Sequence, residues 1–277
     1  MIKNKKIFFG IGSIISMFLS GIILEGENTK KENLSKNAKK EKQNINCDIK
    51  DFENPNLYLK ECKSFPNSPP GMVRIGDFYI DRFEASVVYE KNGKTVPWSP
   101  YHRPNIKLDN IRAVSIMGAV PQGYTDGFTA EKLCNNSDKR LCTSKEWLRA
   151  CQGIKKQIFP YGEKIIVGAC NGSRNIHPAI ELFGNNKSSF SKIQSPCINQ
   201  LENTVSRSGD NYLCVTENSV YDMVGNLHEW VSDKSGTFRG GYYVDTYRNG
   251  KGCLYRTTAH SRYHWDYSTG FRCCKDL

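Results

Sequence analysis

The chain has 277 residues, 38% of them apolar, which is enough to fill the core of one large domain or two small ones and excludes a wholly disordered protein. Its net charge of +11 is unevenly spread: nine lysines against four acids in residues 1–46 carry five of those charges. The remaining excess is dispersed, with no dense Lys/Arg stripe, which argues against a nucleic-acid partner.

The opening MIKNKK is followed by an unbroken apolar run from Ile7 to Leu24, the charged and hydrophobic regions of an export signal. Two fates stay open for residues 1–24. Leu19-Ser20-Gly21 is an acceptable cleavage triplet, yet 18 apolar residues also reach the lower edge of a bilayer span, so the segment is a signal peptide or an N-terminal anchor. The first cysteine is Cys47, too far on for lipid attachment. The expected location is outside the cytoplasm: periplasm, outer envelope or secreted, with membrane attachment through this segment if it is kept. Residues 25–46 are polar and Lys/Asn-rich and read as a disordered linker, whose charge suits an acidic lipid surface.

Eleven cysteines, at 47, 62, 134, 142, 151, 170, 197, 214, 253, 273 and 274, favour disulfides in an exported chain, with a pairing that spacing does not give. There is no CxxC, so a zinc ribbon is excluded, and the adjacent Cys273 and Cys274 would point to opposite sides of an extended strand. Residues 47–70 form a cysteine-containing lead-in that ends in the turn-forming Ser68-Pro69-Pro70-Gly71. The domain proper runs over 71–277.

Within it, Met72 to Ser86 alternates around Gly76-Asp77 as a hairpin does. The period then changes. Thr129 to Asn135 reads as a helix, and Thr143-Ser144-Lys145-Glu146 is a capping box for a second one, which buries Trp147, Leu148 and Cys151 on one face and stops at Gly153. From Pro160 to Leu213 the text is loop-like, and beyond Tyr221 short aromatic strands are separated by glycines. Strands, then helices, then irregular chain indicate an α+β domain with little regular secondary structure.

The stretch MVGNLHEWVS, residues 223–232, concentrates the candidate chemistry. A zinc-protease helix needs HExxH, and no second histidine follows His228-Glu229 at that spacing. A cation turn fits better: Asp222 and Glu229 offer carboxylates, while Gly225 and Asn226 permit tight backbone, and calcium prefers such oxygen shells. The alternative is a capped turn with Trp230 in the core.

Together IGDFYIDRFEAS, KRLCTSKEWLRAC, FPYGE, CNGSRN, VYDMVGNLHEWVSD, FRGGYYVD, YRTTAHSR and TGFRCC resemble the formylglycine-generating enzyme (sulfatase-modifying factor) family in order and spacing over residues 70–277. The resemblance implies a single irregular, disulfide-supported α+β domain with a C-type-lectin-like fold and bound Ca2+. By position it implies a calcium site in which Asp222 and Glu229 give side-chain oxygens and Gly225 and Leu227 main-chain carbonyls, with Asn171 of CNGSRN at a looser second position. The family's founding members oxidise a sulfatase cysteine to formylglycine with copper(I) held by two cysteines after RGG. Here Cys253 matches the second, whereas Asp245 stands where the first belongs, a poor donor set for copper(I).

Asp245, Cys253, His260 and His264 also make a loose ligand set for another metal, against the reading of hydrogen-bonded histidines and a disulfide cysteine. Tyr242, Tyr243, Tyr247, Tyr255, Tyr263, Trp265, Tyr267 and Phe271 line a groove for peptide or sugar or fill a core, and Arg239, Arg256, Arg262 and Arg272 pin loops by bidentate hydrogen bonds or catch phosphate. The functions so implied are an exported, calcium-stabilised binding or accessory domain for a peptide, a glycan or an envelope protein; a formylglycine-generating oxidase acting on a sulfatase-type protein; or another metal-dependent oxidation on the same scaffold.

Overall fold

The computed structural model describes residues 54–60 and 68–277; the export segment, the linker and Cys47 and Cys62 lie outside them. Among the described residues no helix is long and apolar enough to cross a membrane. Three small sheets and three short helices form the domain. β1 (Met72–Ile75) and β2 (Phe78–Asp81) are the expected hairpin, turning at Gly76-Asp77. β3 (Ala85–Lys91), β4 (Lys94–Pro97) and β5 (Arg112–Ser115) make a second sheet, ordered β4-β3-β5, which the sequence reading did not separate from the hairpin before it.

Helix α1 (Gly127–Asn135) starts two residues earlier than expected because Asp126 caps it, its Oδ1 accepting from the Phe128 and Thr129 amides. Strand β6 (Arg140–Leu141) leads into α2 (Ser144–Gln152), whose capping box is complete: Thr143 Oγ1 accepts from Glu146 N, and Glu146 Oε2 accepts from Thr143 N. Gly153 ends it at φ 62°, where a Cβ would be strained. The loop-like region contains one short helix, α3 (Pro178–Phe183), and 3₁₀ turns.

The chain then returns through β7 (His228–Val231), β8 (Thr237–Arg239), β9 (Arg256–Thr257), β10 (Thr269–Phe271) and β11 (Cys273–Asp276). The first four form a sheet ordered β10-β7-β8-β9, with β10 parallel to β7, and β11 inserts between β2 and β6. On β11 the period-2 alternation sends Cys273 to Cys134 and Cys274 to Cys142, so successive residues clamp opposite sides of one strand. Cys151–Cys253 and Cys170–Cys214 are also bonded, and all nine described cysteines are in disulfides.

Two tryptophans centre the core. Trp147 of α2 is buried with Ile75, Phe78, Ile80, Met223 and Val231, and Trp230 of β7 is buried with Leu133, Phe238 and Phe271. Truncating either to Ala costs about 3–5 kcal/mol. Because Val231 of β7 belongs to the first cluster and Trp230 to the second, the strand that the turn enters is anchored in both.

Candidate functional site

The turn from Asp222 to Asn226 depends on backbone that few residues tolerate. Asp222, Gly225 and Asn226 have φ of 56°, 82° and 56°, and a Cβ on Gly225 would overlap the Asn171 carbonyl. Asn and Asp accept this region better than other side chains, which explains the residue types. The turn is closed by Asn226: its amide donates to Asn171 O (2.7 Å), its Oδ1 accepts from Ser206 N and Asn171 Nδ2, and its Nδ2 donates to Glu84 Oε2 (2.5 Å). Asn171, a weaker candidate by sequence, is therefore brought directly against the turn.

Strand β7 then alternates. His228 and Trp230 face one side, and Glu229 faces the other, where Arg272 waits on the segment joining β10 to β11. Arg272 is fully buried. Its Nε and Nη2 donate to Glu229 Oε2 and Oε1 (2.7 Å each), Nη2 also to Tyr221 O, and Nη1 to Asp81 O and Arg82 O. Trp147 Nε1 donates to Glu229 Oε2 at 2.7 Å. Both oxygens of the expected ligand Glu229 are thus engaged by a guanidinium and an indole. The bidentate geometry and the saturated main-chain bonds are what let a buried ion pair hold together.

Asp222 accepts from Gly209 N (2.7 Å) and faces the same guanidinium, as does Glu84, whose Oε1 accepts from Leu227 N. Three buried carboxylates therefore share one positive charge. Burial first, and then the neighbouring acids, push the Glu84 carboxyl well above its ordinary range; Asp222 is raised to about 7, mainly by burial. Glu84 was not foreseen as a site residue, although it stands in the FEAS stretch that contributed to the family resemblance. The donor set suits a hard cation, all oxygens with excess negative charge, but among the described residues no three His, Cys, Asp or Glu side chains form a metal-holding group, so carbonyls such as those of Gly225 and Leu227 would have to complete a calcium shell.

The second candidate region does not assemble a copper site. Cys253 is fully buried and bonded to Cys151 with Cα atoms 5.6 Å apart, the disulfide alternative of the two open for it, and in that bond its sulfur offers no thiolate. Asp245 turns inward on its own loop: Oδ1 accepts from Tyr247 N and Arg248 N, and Oδ2 from Tyr255 OH. One carboxylate and no thiolate do not fit copper(I).

His228, in the middle of the signature, is enclosed by rings. It stacks on Phe238 and lies 4.6 Å from Tyr242, with Nδ1 3.2 Å from Ser268 Oγ and Nε2 3.3 Å from Tyr255 OH. Burial holds its pKa down at about 4, so it is neutral. Of the aromatic set, Tyr243, Tyr255, Tyr267 and Phe271 are buried, whereas Tyr247 and Tyr263 are exposed; core packing accounts for half of it. The arginines tie elements: Arg239 donates to Ser144 Oγ, Arg262 to Gly127 O and Glu131, and Arg256 lies 3.8 Å from Asp233.

A search of curated proteins returned no match. Among solved structures, PvdO from Pseudomonas aeruginosa is 13% identical, with a TM-score of 0.46 over 79% of this chain and 91% of its own. CarF is 12% identical, with a TM-score of 0.44 over 80% and 95%. The P3c variant of the major tropism determinant is 13% identical, with a TM-score of 0.45 over 76% of this chain and 53% of its own. The model of the sulfatase-modifying factor enzyme 1-like domain matches residues 50–277, and the chain belongs to that family.

Proposed function

We propose that this family member acts as a binding or accessory domain outside the cytoplasm and does not perform copper-dependent cysteine oxidation. The observation that carries the reading is Cys253: a sulfur locked in the core with Cys151 cannot hold copper(I), and Asp245 is occupied by its own loop. The disulfides are in keeping with an oxidising compartment, and thereby with the export signal read in residues 1–24. The partner is a peptide, a glycan or another envelope protein. Supporting it, exposed Ile165, Ile166 and Tyr247 beside the signature turn border a cavity of about 100 Å³ that also touches Val224 and Gly172.

Ca2+ belongs to the same proposal as a stabilising ion at the Asp222 turn. Supporting it is the charge excess of Glu84, Asp222 and Glu229 over Arg272; a divalent cation would relieve the two raised carboxyls. Adding calcium to chelator-treated protein should raise its melting temperature, and an unchanged transition removes calcium from the reading.

The decisive test is a titration of oxidised protein with copper(I) against a competing chelator, with free thiols counted in parallel. The expected result is no copper retained and no thiol at Cys253. Tight binding of one copper ion that disappears in Cys253→Ser would replace the proposal with the oxidase reading and call for an assay on a sulfatase-type cysteine peptide.

A further inference from the structure

Strands β8 and β9 place two arginines in register. Arg239 and Arg256 are Cα partners across the antiparallel pair, so their side chains leave the same face of the sheet, with Cβ atoms about 4.5–5.5 Å apart. Like charges set directly opposite one another destabilise a sheet. Nothing close by offsets this pair. Arg256 is half exposed, and its Nη2 stays 3.8 Å from Asp233 Oδ2, beyond hydrogen-bond reach. Arg239 is only 8% exposed and makes no ion pair with the described residues. Burial and then the Arg256 charge hold its pKa below the ordinary value, with Asp233 acting in the other direction.

What Arg239 touches is a hydroxyl. Its Nε and Nη2 both donate to Ser144 Oγ, at 2.9 and 2.7 Å, and Nη1 has no acceptor among the described residues. A hydroxyl oxygen that accepts two N–H groups still has its own proton to give. Ser144 also opens α2. Glu146 N donates to Thr143 Oγ1 and Trp147 N to Thr143 O, so the Ser144 and Lys145 amides ahead of them have no acceptor inside the helix, and the helix end adds partial positive charge. The acid of this turn, Glu146, is already engaged by Arg140 and by the Thr143 amide.

We propose that Arg239, Arg256 and the Ser144 hydroxyl together bind one phosphate group, inorganic or as a monoester. Two guanidinium ions with little acid beside them match a group that carries close to two negative charges near neutral pH, as phosphate does and a carboxylate does not. Planar forks from two strands, with a hydroxyl between them and the helix end, suit a tetrahedral group with three free oxygens. Half-exposed Arg256 leaves the approach open, and buried Arg239 forms the floor. The anion supplies the counter-charge that two arginines in register lack.

The test uses the full oxidised chain at low ionic strength, titrated with inorganic phosphate by calorimetry, beside Arg256→Gln and Arg239→Lys. The native chain should bind one phosphate and each variant should bind it at least about tenfold more weakly, Arg239→Lys because it keeps the charge and loses the fork. Phosphoethanolamine distinguishes the source: tighter binding than inorganic phosphate assigns an esterified headgroup, weaker binding assigns free phosphate. In phosphate-free buffer Arg256→Gln should melt no lower than the native chain, since it removes a repulsion at an exposed position. Added phosphate should then raise the native melting temperature and leave that of Arg256→Gln unchanged, a difference that a purely structural arginine would not produce. If Arg239→Lys unfolds, Arg256→Gln decides alone. No phosphate bound by the native chain, equal affinity in Arg256→Gln, or displacement by an equal concentration of chloride overturns the site.

Discussion

The Asp222–Glu229 turn and the Asp245–Cys253 loop both lie in stretches that mark the family, yet the protein uses them in opposite ways. In the turn, Arg272 spends its N–H groups on Glu229 and on three main-chain carbonyls, and Glu229, Asn226 and Asn171 join elements more than forty residues apart. In the loop, Asp245 binds amides two and three residues on, and Cys253 is a core cross-link. A residue that holds several elements cannot be exchanged without leaving a buried charge or an unpaired donor. The Asp245 loop is held by local bonds and one cross-link, so a change at Asp245 leaves only nearby amides and one hydroxyl unpaired.

The contrast can be broken most severely at its centre. Arg272→Leu strands Glu229 in the core and should cost about 3–5 kcal/mol of unfolding free energy by denaturant titration. A loss no larger than that of a surface change would show that the turn is not an anchor. Next in size, Cys151→Ser combined with Cys253→Ser should cost about 2–4 kcal/mol while leaving copper binding absent, since the bond is structural. A double variant as stable as the native chain would reopen a redox role for that cysteine pair.

The smallest effect concerns sign. Asp222 has a folded pKa of about 7 against an ordinary 3.8, so its contribution to stability is present at the lowest pH and is lost as pH rises through that window; Glu84 acts in the same direction. His228, held at about 4 against 6.5, acts oppositely, its contribution being lost as pH falls. In chelator, Asp222→Asn should gain about 1 kcal/mol or more above neutral pH, because the amide keeps an acceptor for Gly209 N and carries no charge. With calcium present, the same variant should lose stability if the ion sits on Asp222. Stability curves of both proteins from acid to mildly alkaline pH decide between the two.

What was legible in the sequence was local. The Thr143–Glu146 capping box, the Gly153 stop and the opposed directions of Cys273 and Cys274 each follow from a spacing of a few residues, and each is present. The family fold was readable too, because its marks recur in fixed order along the chain. Glu84 was not legible as a site residue: its partners Asn226 and Leu227 are 142 and 143 positions away, and nothing near FEAS announces them. Nor was the engagement of Glu229, which depends on Arg272 arriving 43 residues later. Cys253 stayed open between a metal ligand and a disulfide because spacing cannot tell a thiolate from half of a bond whose other half lies 102 residues back.

The strand that carries Cys273 and Cys274 has a consequence for biogenesis. Cys134 and Cys142 leave the ribosome 139 and 132 residues ahead of their partners, which sit on β11 between β2 and β6. Until then those two thiols sit eight positions apart, each the other's nearest alternative. If they pair with each other first, that bond has to be exchanged before the native ones form, so refolding of the reduced chain should be accelerated by a disulfide isomerase.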